Sequence, residues 1–232
     1  MMHRLFNLIY NKLYSIKFVY TIYHFFRTTI PNYFDSDRLQ KFGYKDLNYF
    51  NAIMKENEIE YFCDFGTLLG IVRENSFIKH DIDIDVALIR GKQFDIKKIE
   101  QILTNKGLKK THEYYYCGRV TEESYIFPSG VSIDLFIYDL EDDVMSTYVY
   151  YKDHSTVYPD SSFRSVKKLV YPKIDKFKTI NFVDCETIIP YDAELRLTAI
   201  YGPTWNVPDK SYKPDREENI MSDYGIALKY ER

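Results

Sequence analysis

The chain has 232 residues, 45% of them hydrophobic and 28% charged, with a formal net charge of −3. That size allows one sizeable core, or a core with a small appendage, and that composition excludes an intrinsically disordered chain. The bulk charge also excludes binding nucleic acid through a strongly basic surface.

The first segment, "MMHRLFNLIYNKLYSIKFVYTIYHFFRTTI", holds no Asp or Glu, and the first acid is Asp35. Arg4, Lys12, Lys17 and Arg27 interrupt it, so no run approaches the roughly 20 apolar residues that cross a bilayer. It also lacks the small-residue cleavage site of a secretory signal. Leu5, Ile9, Leu13, Ile16 and Tyr20 share one arc of a helical wheel, with Asn7, Asn11 and Ser15 opposite. Residues 1–35 therefore read as a basic amphipathic helical segment. It either packs on the protein's own core or lies at an anionic membrane surface through residues 1–30.

Ser36 is a candidate N-cap for a helix whose apolar positions Leu39, Phe42, Leu47, Phe50, Ile53 and Met54 recur up to Asn57. "IEYFCDF" reads as a strand broken by Gly66, and "TLLGIVRE" as a short helix in which Gly70 serves close packing. "DIDIDVALI" is a strand by its alternation. A helix over 93–105 is closed by Gly107. "THEYYYCGRV" and "SYIF" lead to a turn at Phe127-Pro128-Ser129-Gly130. "VSIDLFIYD" follows as a strand, with Val131, Ile133, Leu135 and Ile137 toward the core and Asp134, Phe136 and Tyr138 on the other face. Glu141-Asp142-Asp143 reads as a solvated acidic loop. Beyond it the pattern is hard to read, apart from a short helix starting near Asp192 and ending at Gly202-Pro203. Strands mixed with helices place the chain in the α/β or α+β class. Cys63, Cys117 and Cys185 are far apart and lack C-x-x-C spacing, which predicts reduced cytosolic thiols and no structural zinc. His24, His112 and His154 show no ligand-like spacing either.

Asp81, Asp83 and Asp85 share one face of their strand, with neighbours about 6.5–7 Å apart along the chain. Three such carboxylates repel one another and raise one another's pKa. If they face water, screening removes the problem. If they line a cleft, a hard divalent cation with oxygen ligands neutralises them. Upstream, Gly66 and Thr67 stand where a strand meets a helix start, a place where free N–H groups attract phosphate. Arg73 either adds a phosphate contact or pairs with Glu74 or Asp64. With Asp134 on a second strand, these parts amount to a two-metal phosphoryl-transfer site.

The stretch "FGTLLGIVRENSFIKHDIDIDV" resembles the signature of the LicD family, whose relatives include fukutin and fukutin-related protein. The likeness extends through "SIDLFIYD" to "IPYDAELRLTAIYGPTW", from about Phe50 to about Pro208. It implies an α+β nucleotidyltransferase fold of the DNA polymerase beta type, a mixed β-sheet with flanking helices, formed by residues 36–232. It implies transfer of a phospho-alcohol, such as phosphocholine or ribitol phosphate, from a CDP-activated donor to a hydroxyl of a glycan or lipid-linked glycan, with Mg²⁺ or Mn²⁺ as cofactor. By the same resemblance Asp83 and Asp85 match the metal-binding pair, Asp81 the carboxylate before it, and Asp134 the third, as ligand or general base. Gly66, Thr67, Arg73 and Lys79 become candidates for the donor's phosphates. His80, Phe136 and Tyr138 become candidates for substrate contact, ahead of any cage around Trp205. Two positions depart from the pattern: Lys79-His80 replaces Pro-Trp, and Ile82 replaces the middle Asp. The first pair either alters donor recognition or is ordinary surface. The expected setting is the cytoplasm, peripheral to the inner face of a membrane. Three rivals stay open: nucleotide transfer from an NTP, a D-x-D glycosyltransferase, and a non-catalytic metal- or glycan-binding member.

Overall fold

The structure, a computed structural model, describes residues 30–152, 156–209 and 220–231. The amphipathic segment read over residues 1–35 lies outside the described residues up to position 29. Helix α1 (Ile30–Glu56) buries Leu39, Leu47, Phe50, Ile53 and Met54, the apolar set seen in the sequence. It does not start at Ser36. That residue is inside the helix, where its hydroxyl donates to the Lys79 carbonyl at 2.8 Å.

Strand β1 (Phe62–Cys63) is only two residues long, because helix α2 (Phe65–Glu74) begins before Gly66. Strand β2 (Asp83–Ile89) follows, then helix α3 (Ile96–Asn105). The latter starts three residues later than its apolar pattern suggested, since the Asp95 carboxylate caps it by accepting from the Lys97 and Lys98 N–H groups at 3.0 and 3.2 Å. Gly107 ends the turn with φ +92°. Strands β3 (Lys109–Tyr116) and β4 (Arg119–Ile126) form a hairpin around Cys117 and Gly118, both at positive φ. The predicted turn is present, with the Gly130 N–H donating to the Phe127 carbonyl at 2.8 Å.

Strand β5 (Ser132–Glu141) pairs in parallel with β2 over its first seven residues, and its last three pair with β6 (Val144–Tyr151) on the same edge. From β6 the ladder continues to β7 (Phe163–Pro172), to β10 (Ile220–Glu231), and back through β3 and β4 to β5. Six antiparallel strands thus close into a barrel, with β2 and β1 hung on its side. This overturns the expected α+β nucleotidyltransferase fold, a mixed sheet flanked by helices. Most of the strand content belongs to the closed barrel, and the helices among the described residues are few. The misreading comes from β6 and β7, where buried and half-buried positions follow one another without alternation. The β8–β9 ribbon (Phe177–Phe182, Cys185–Pro190) and helix α4 (Ala193–Tyr201) complete the described elements.

One core lies between the helices and the Ile133–Leu135 face of β5. A second gathers Phe62, Tyr138, Met145, Leu169, Tyr171 and Ile200. The three cysteines are free, Cys63 and Cys185 buried and Cys117 exposed. Among the described residues no helix is long and apolar enough to cross a membrane.

Gly70 has the packing role read from the sequence: a Cβ there would stand 2.5 Å from the Ser76 carbonyl oxygen and 3.1 Å from the Ile78 nitrogen. Gly70→Ala should therefore lower stability by about 1–3 kcal/mol at unchanged m-value in urea denaturation, although alanine is the better helix former.

Candidate active site

The site is built from the start of α2. Asp64, fully buried, accepts two hydrogen bonds from the Arg196 guanidinium, at 3.0 Å from Nε and 2.6 Å from Nη2, and a third at 2.8 Å from the Tyr138 hydroxyl. Phe65 then takes a positive φ of +43°, strained for a residue with a side chain. That bend turns the Gly66 N–H onto Asp85, to whose Oδ2 it donates at 2.9 Å. A Cβ at Gly66 would meet Asp81 Oδ2 at 2.7 Å and Asp85 Oδ2 at 3.0 Å, so only glycine lets the carboxylates come this close. Thr67 is 1% exposed, and its hydroxyl accepts the Asp85 N–H at 2.8 Å. It therefore fixes β2 against α2 and does not face the cleft, contrary to its expected phosphate contact.

Asp83 and Asp85 extend from β2, and the parallel register sets Asp85 directly beside Asp134 on β5. Burial is the main reason each of these carboxyls resists ionising, and like charge adds to it. Asp83 is pushed up to about 7, by burial and then by Asp134 and Asp81. Asp85 is raised by burial, then by Asp83 and Asp134. Asp81, just ahead of the strand, is pushed up to about 6 by burial, against the pull of Arg73. Asp134 is raised by burial, against a hydrogen bond from Ser124 and the charge of Lys229. Among the described residues none of the four forms a salt bridge. An anionic, all-oxygen donor set of this kind suits Mg²⁺ or Mn²⁺. The aspartates do stand apart. Among the described residues, three acids with oxygens within 4.8 Å of one another occur at Glu100, Glu113 and Glu123, where the Lys110 ammonium binds all three.

A cleft of about 620 Å³ opens beside Asp81 and Gly66. Arg73, Lys79 and His80 line one part of it, and Tyr201, Trp205 and Pro208 another. Arg73 is held by Glu74 Oε1, at 3.1 Å from Nε and 2.6 Å from Nη2, and reaches the Trp205 carbonyl at 3.4 Å. The pairing with Glu74 and a place in the cleft thus coexist. Phe136 packs on Phe65 with ring centres 4.6 Å apart and does not line this cleft. Tyr138 is fully buried on Asp64 and Arg196, which removes it from substrate contact. The aromatic side chains that do reach the cleft are Tyr201 and Trp205, the latter set aside in the sequence because aromatic residues are mostly core.

A further polar row had no sequence signature. Cross-strand pairing aligns Asp85, Asp134, Ser124, His112 and Glu231 across β2, β5, β4, β3 and β10. Within it the Ser124 hydroxyl lies 3.0 Å from His112 Nε2. His112 is lowered to about 4 by burial and by Lys229, and so stays neutral near pH 7.

Because the folded pKa of Asp83 exceeds its ordinary 3.8, folding takes up protons between those values, and stability falls as pH rises from about 4 to about 7. The slope is at most about 1.4 kcal/mol per pH unit for each such group. In EDTA, the Tm of the wild type should drop across that window. Asp83→Asn should flatten the drop and give the higher Tm at pH 7.5; coincident curves would show that the carboxylates do not crowd one another.

Comparison with known proteins gives the family of the chain. A family profile described as LicD/FKTN/FKRP, nucleotidyltransferase domain, matches residues 58–192, which include Gly66, Asp81, Asp83, Asp85 and Asp134. The chain is 25% identical over 133 residues to an uncharacterised protein of Rickettsia typhi, covering 56% of this chain and 41% of that protein. It is 35% identical over 69 residues to the lipopolysaccharide cholinephosphotransferase LicD of Haemophilus influenzae, covering 30% of this chain and 23% of that one. The chain thus spans less than half the length of these curated relatives. Among solved structures, the lincomycin-bound lincosamide antibiotic adenylyltransferase LnuA aligns with a TM-score of 0.38 at 17% identity, over 63% of this chain and 78% of that one. The profile takes in more than half of the chain and every aspartate of the site, and the chain belongs to the LicD family.

Proposed function

We propose that the protein is a metal-dependent phosphotransferase that moves a phospho-alcohol, such as phosphocholine or ribitol phosphate, from a CDP-activated donor to a hydroxyl of a surface glycan or its lipid-linked precursor. The observation that carries this reading is the register of Asp85 against Asp134, with the Gly66 amide and a cleft at their side. Asp83 and Asp85, supported by Asp81 and Asp134, would hold Mg²⁺ or Mn²⁺, which when bound neutralises the donor's diphosphate. The N-terminus of α2 adds its positive end to the same place. Arg73, steadied by Glu74 and the Trp205 carbonyl, keeps a guanidinium at the cleft for phosphate oxygens, Lys79 adds positive charge at its rim, and His80 lines the same part. Tyr201 and Trp205 give the donor an apolar wall that keeps water off the reacting phosphorus. The acceptor oxygen bonds to the phosphorus that carries the alcohol, the bond from that phosphorus to the bridging oxygen breaks so that CMP leaves with that oxygen, and the hydroxyl proton passes to Asp134 as general base. Residues 1–30 supply peripheral contact with an anionic membrane, which suits a lipid-linked acceptor.

CDP-choline, CDP-ribitol and CDP-glycerol, each tested with Mg²⁺ or Mn²⁺, should separate the donors. The expected result is metal-dependent CMP release from one of them, reduced on the order of 100-fold or more in Asp83→Asn. Pyrophosphate from NTPs without CMP from any donor would point to nucleotide transfer instead. Deleting residues 1–30 should spare CMP release with a soluble acceptor and lower binding to anionic liposomes; unchanged liposome binding would sink the membrane role.

A further inference from the structure

Three side chains on neighbouring strands form a row that ends at the site: His112 on β3, Ser124 on β4 and Asp134 on β5. Each is the direct cross-strand partner of the next, so adjacent Cβ atoms stand about 4.5–5.5 Å apart. Ser124 is 2% exposed, and its hydroxyl lies 3.0 Å from His112 Nε2. The His112 ring is held on two further sides. The Thr111 hydroxyl lies 3.2 Å from its Nδ1, and Tyr114 meets it edge-on with ring centres 5.4 Å apart. Tyr114 is stacked in turn on Tyr150 at 3.8 Å. Two apolar residues of like shape would fill the Ser124 and His112 positions as well, so packing alone gives no reason for the pair.

Counting protons gives the direction of each hydrogen bond. Ser124 has one hydroxyl proton, and of its two neighbours the Asp134 carboxylate is the stronger acceptor. Ser124 donates there, which leaves its oxygen to accept from His112. The His112 ring is neutral near pH 7 and carries a single N–H. That N–H is therefore at Nε2, and Nδ1 is left bare toward the Thr111 hydroxyl. The same threonine hydroxyl reaches the Ser124 carbonyl at 3.1 Å and ties the two strands at this point.

We propose that His112 and Ser124 are positioning residues for Asp134: the His112 Nε2–H holds the serine oxygen, the serine hydroxyl is thereby aimed at one carboxylate oxygen, and the other oxygen is left for the acceptor hydroxyl. This inference rests on the phosphotransferase reading above. The row conducts no proton. It fixes the orientation of the carboxylate that takes one, and the ring contacts behind His112 keep that orientation ready before the acceptor arrives.

Two measurements test this role. In the nitrogen-15-labelled full chain at pH 7, the ring signals that are missing from His112→Gln should show the Nε2–H tautomer. The Nδ1–H tautomer would turn the serine proton toward His112 and overturn the proposal. In the second measurement, His112→Phe keeps a ring against Tyr114 but has no N–H. It should lower kcat for CMP release about 10- to 100-fold, with the donor KM within about twofold of wild type. His112→Gln brings an N–H back within reach of Ser124 and should recover most of that loss. Ser124→Ala should cost as much as His112→Phe, and the double variant no more than either, because both act through one carboxylate. If His112→Phe does not fold, Ser124→Ala carries the kinetic test, and a wild-type kcat in it counts against the proposal. A wild-type kcat in His112→Phe, or a change in KM alone, overturns it. CMP release by wild type with no recovery in His112→Gln makes His112 a structural residue and leaves the phosphotransferase reading standing. No CMP from any donor in wild type overturns that reading, and this role with it.

Discussion

The guanidinium of Arg196 and the carboxylate of Asp64 are 132 residues apart in the chain and almost wholly withdrawn from water. The two parallel hydrogen bonds between them, with the Tyr138 hydroxyl joined to both, tie α4 to the start of α2. The ring of Tyr171 lies 4.3 Å under the guanidinium carbon and brings the barrel into the same knot. Drawing these two charges apart would leave each buried without its partner, so α4 has little freedom to shift relative to α2. The site inherits that rigidity. Once Asp64 is fixed, its N–H reaches the Asp85 carbonyl at 3.2 Å, Phe65 is held in its strained bend, and Gly66 presents its amide to the Asp85 carboxylate.

The distribution of buried acids separates scaffold from chemistry. On one face of β4 and β3, Lys110 gathers Glu100, Glu113 and Glu123, so negative charge is cancelled inside the protein. On the other face, continuous with β2 and β5, burial raises the proton affinity of Asp83, Asp85, Asp134 and Glu122, and the like charge of Asp134 adds to it at Asp83, Asp85 and Glu122. A folded state carrying such repulsion is less stable than it could be. Leaving that repulsion without a cation among the described residues, beside a cleft, is how an active site is distinguished from a core.

Much of this was written in period-2 and period-3.6 patterns. The alternation of "DIDIDV" predicted a strand with its aspartates on one face, and that of "SIDLFIYD" put Asp134 opposite a core of Val131, Ile133, Leu135 and Ile137, all at most 1% exposed. Gly107, Gly130 and Gly202 marked turns correctly because each takes a positive φ that other residues avoid. Tyr138 shows the limit of the method. Alternation puts it on the face of Asp134, but only tertiary structure brings Arg196 up against it. Glu122 was hidden by its neighbour, since two adjacent glutamates read as solvated charge until one is known to face inward. The barrel was invisible for a related reason: its strands bury residues on consecutive positions, and the partner of β3 is drawn from the far end of the chain.

That last pairing has a consequence for biosynthesis. β10 wedges between β3 and β7, so the ring stays open until residue 231 has left the ribosome. Until then the growing chain displays two unpaired strand edges, the kind of surface on which neighbouring nascent chains join. The parallel contact of β2 with β5 requires nothing from β10, so the aspartate pair can meet while the barrel is still a curled, unclosed sheet. Between the emergence of β5 and that of β10, the growing chain is therefore a molecule whose acidic pocket is assembled before its wall is sealed.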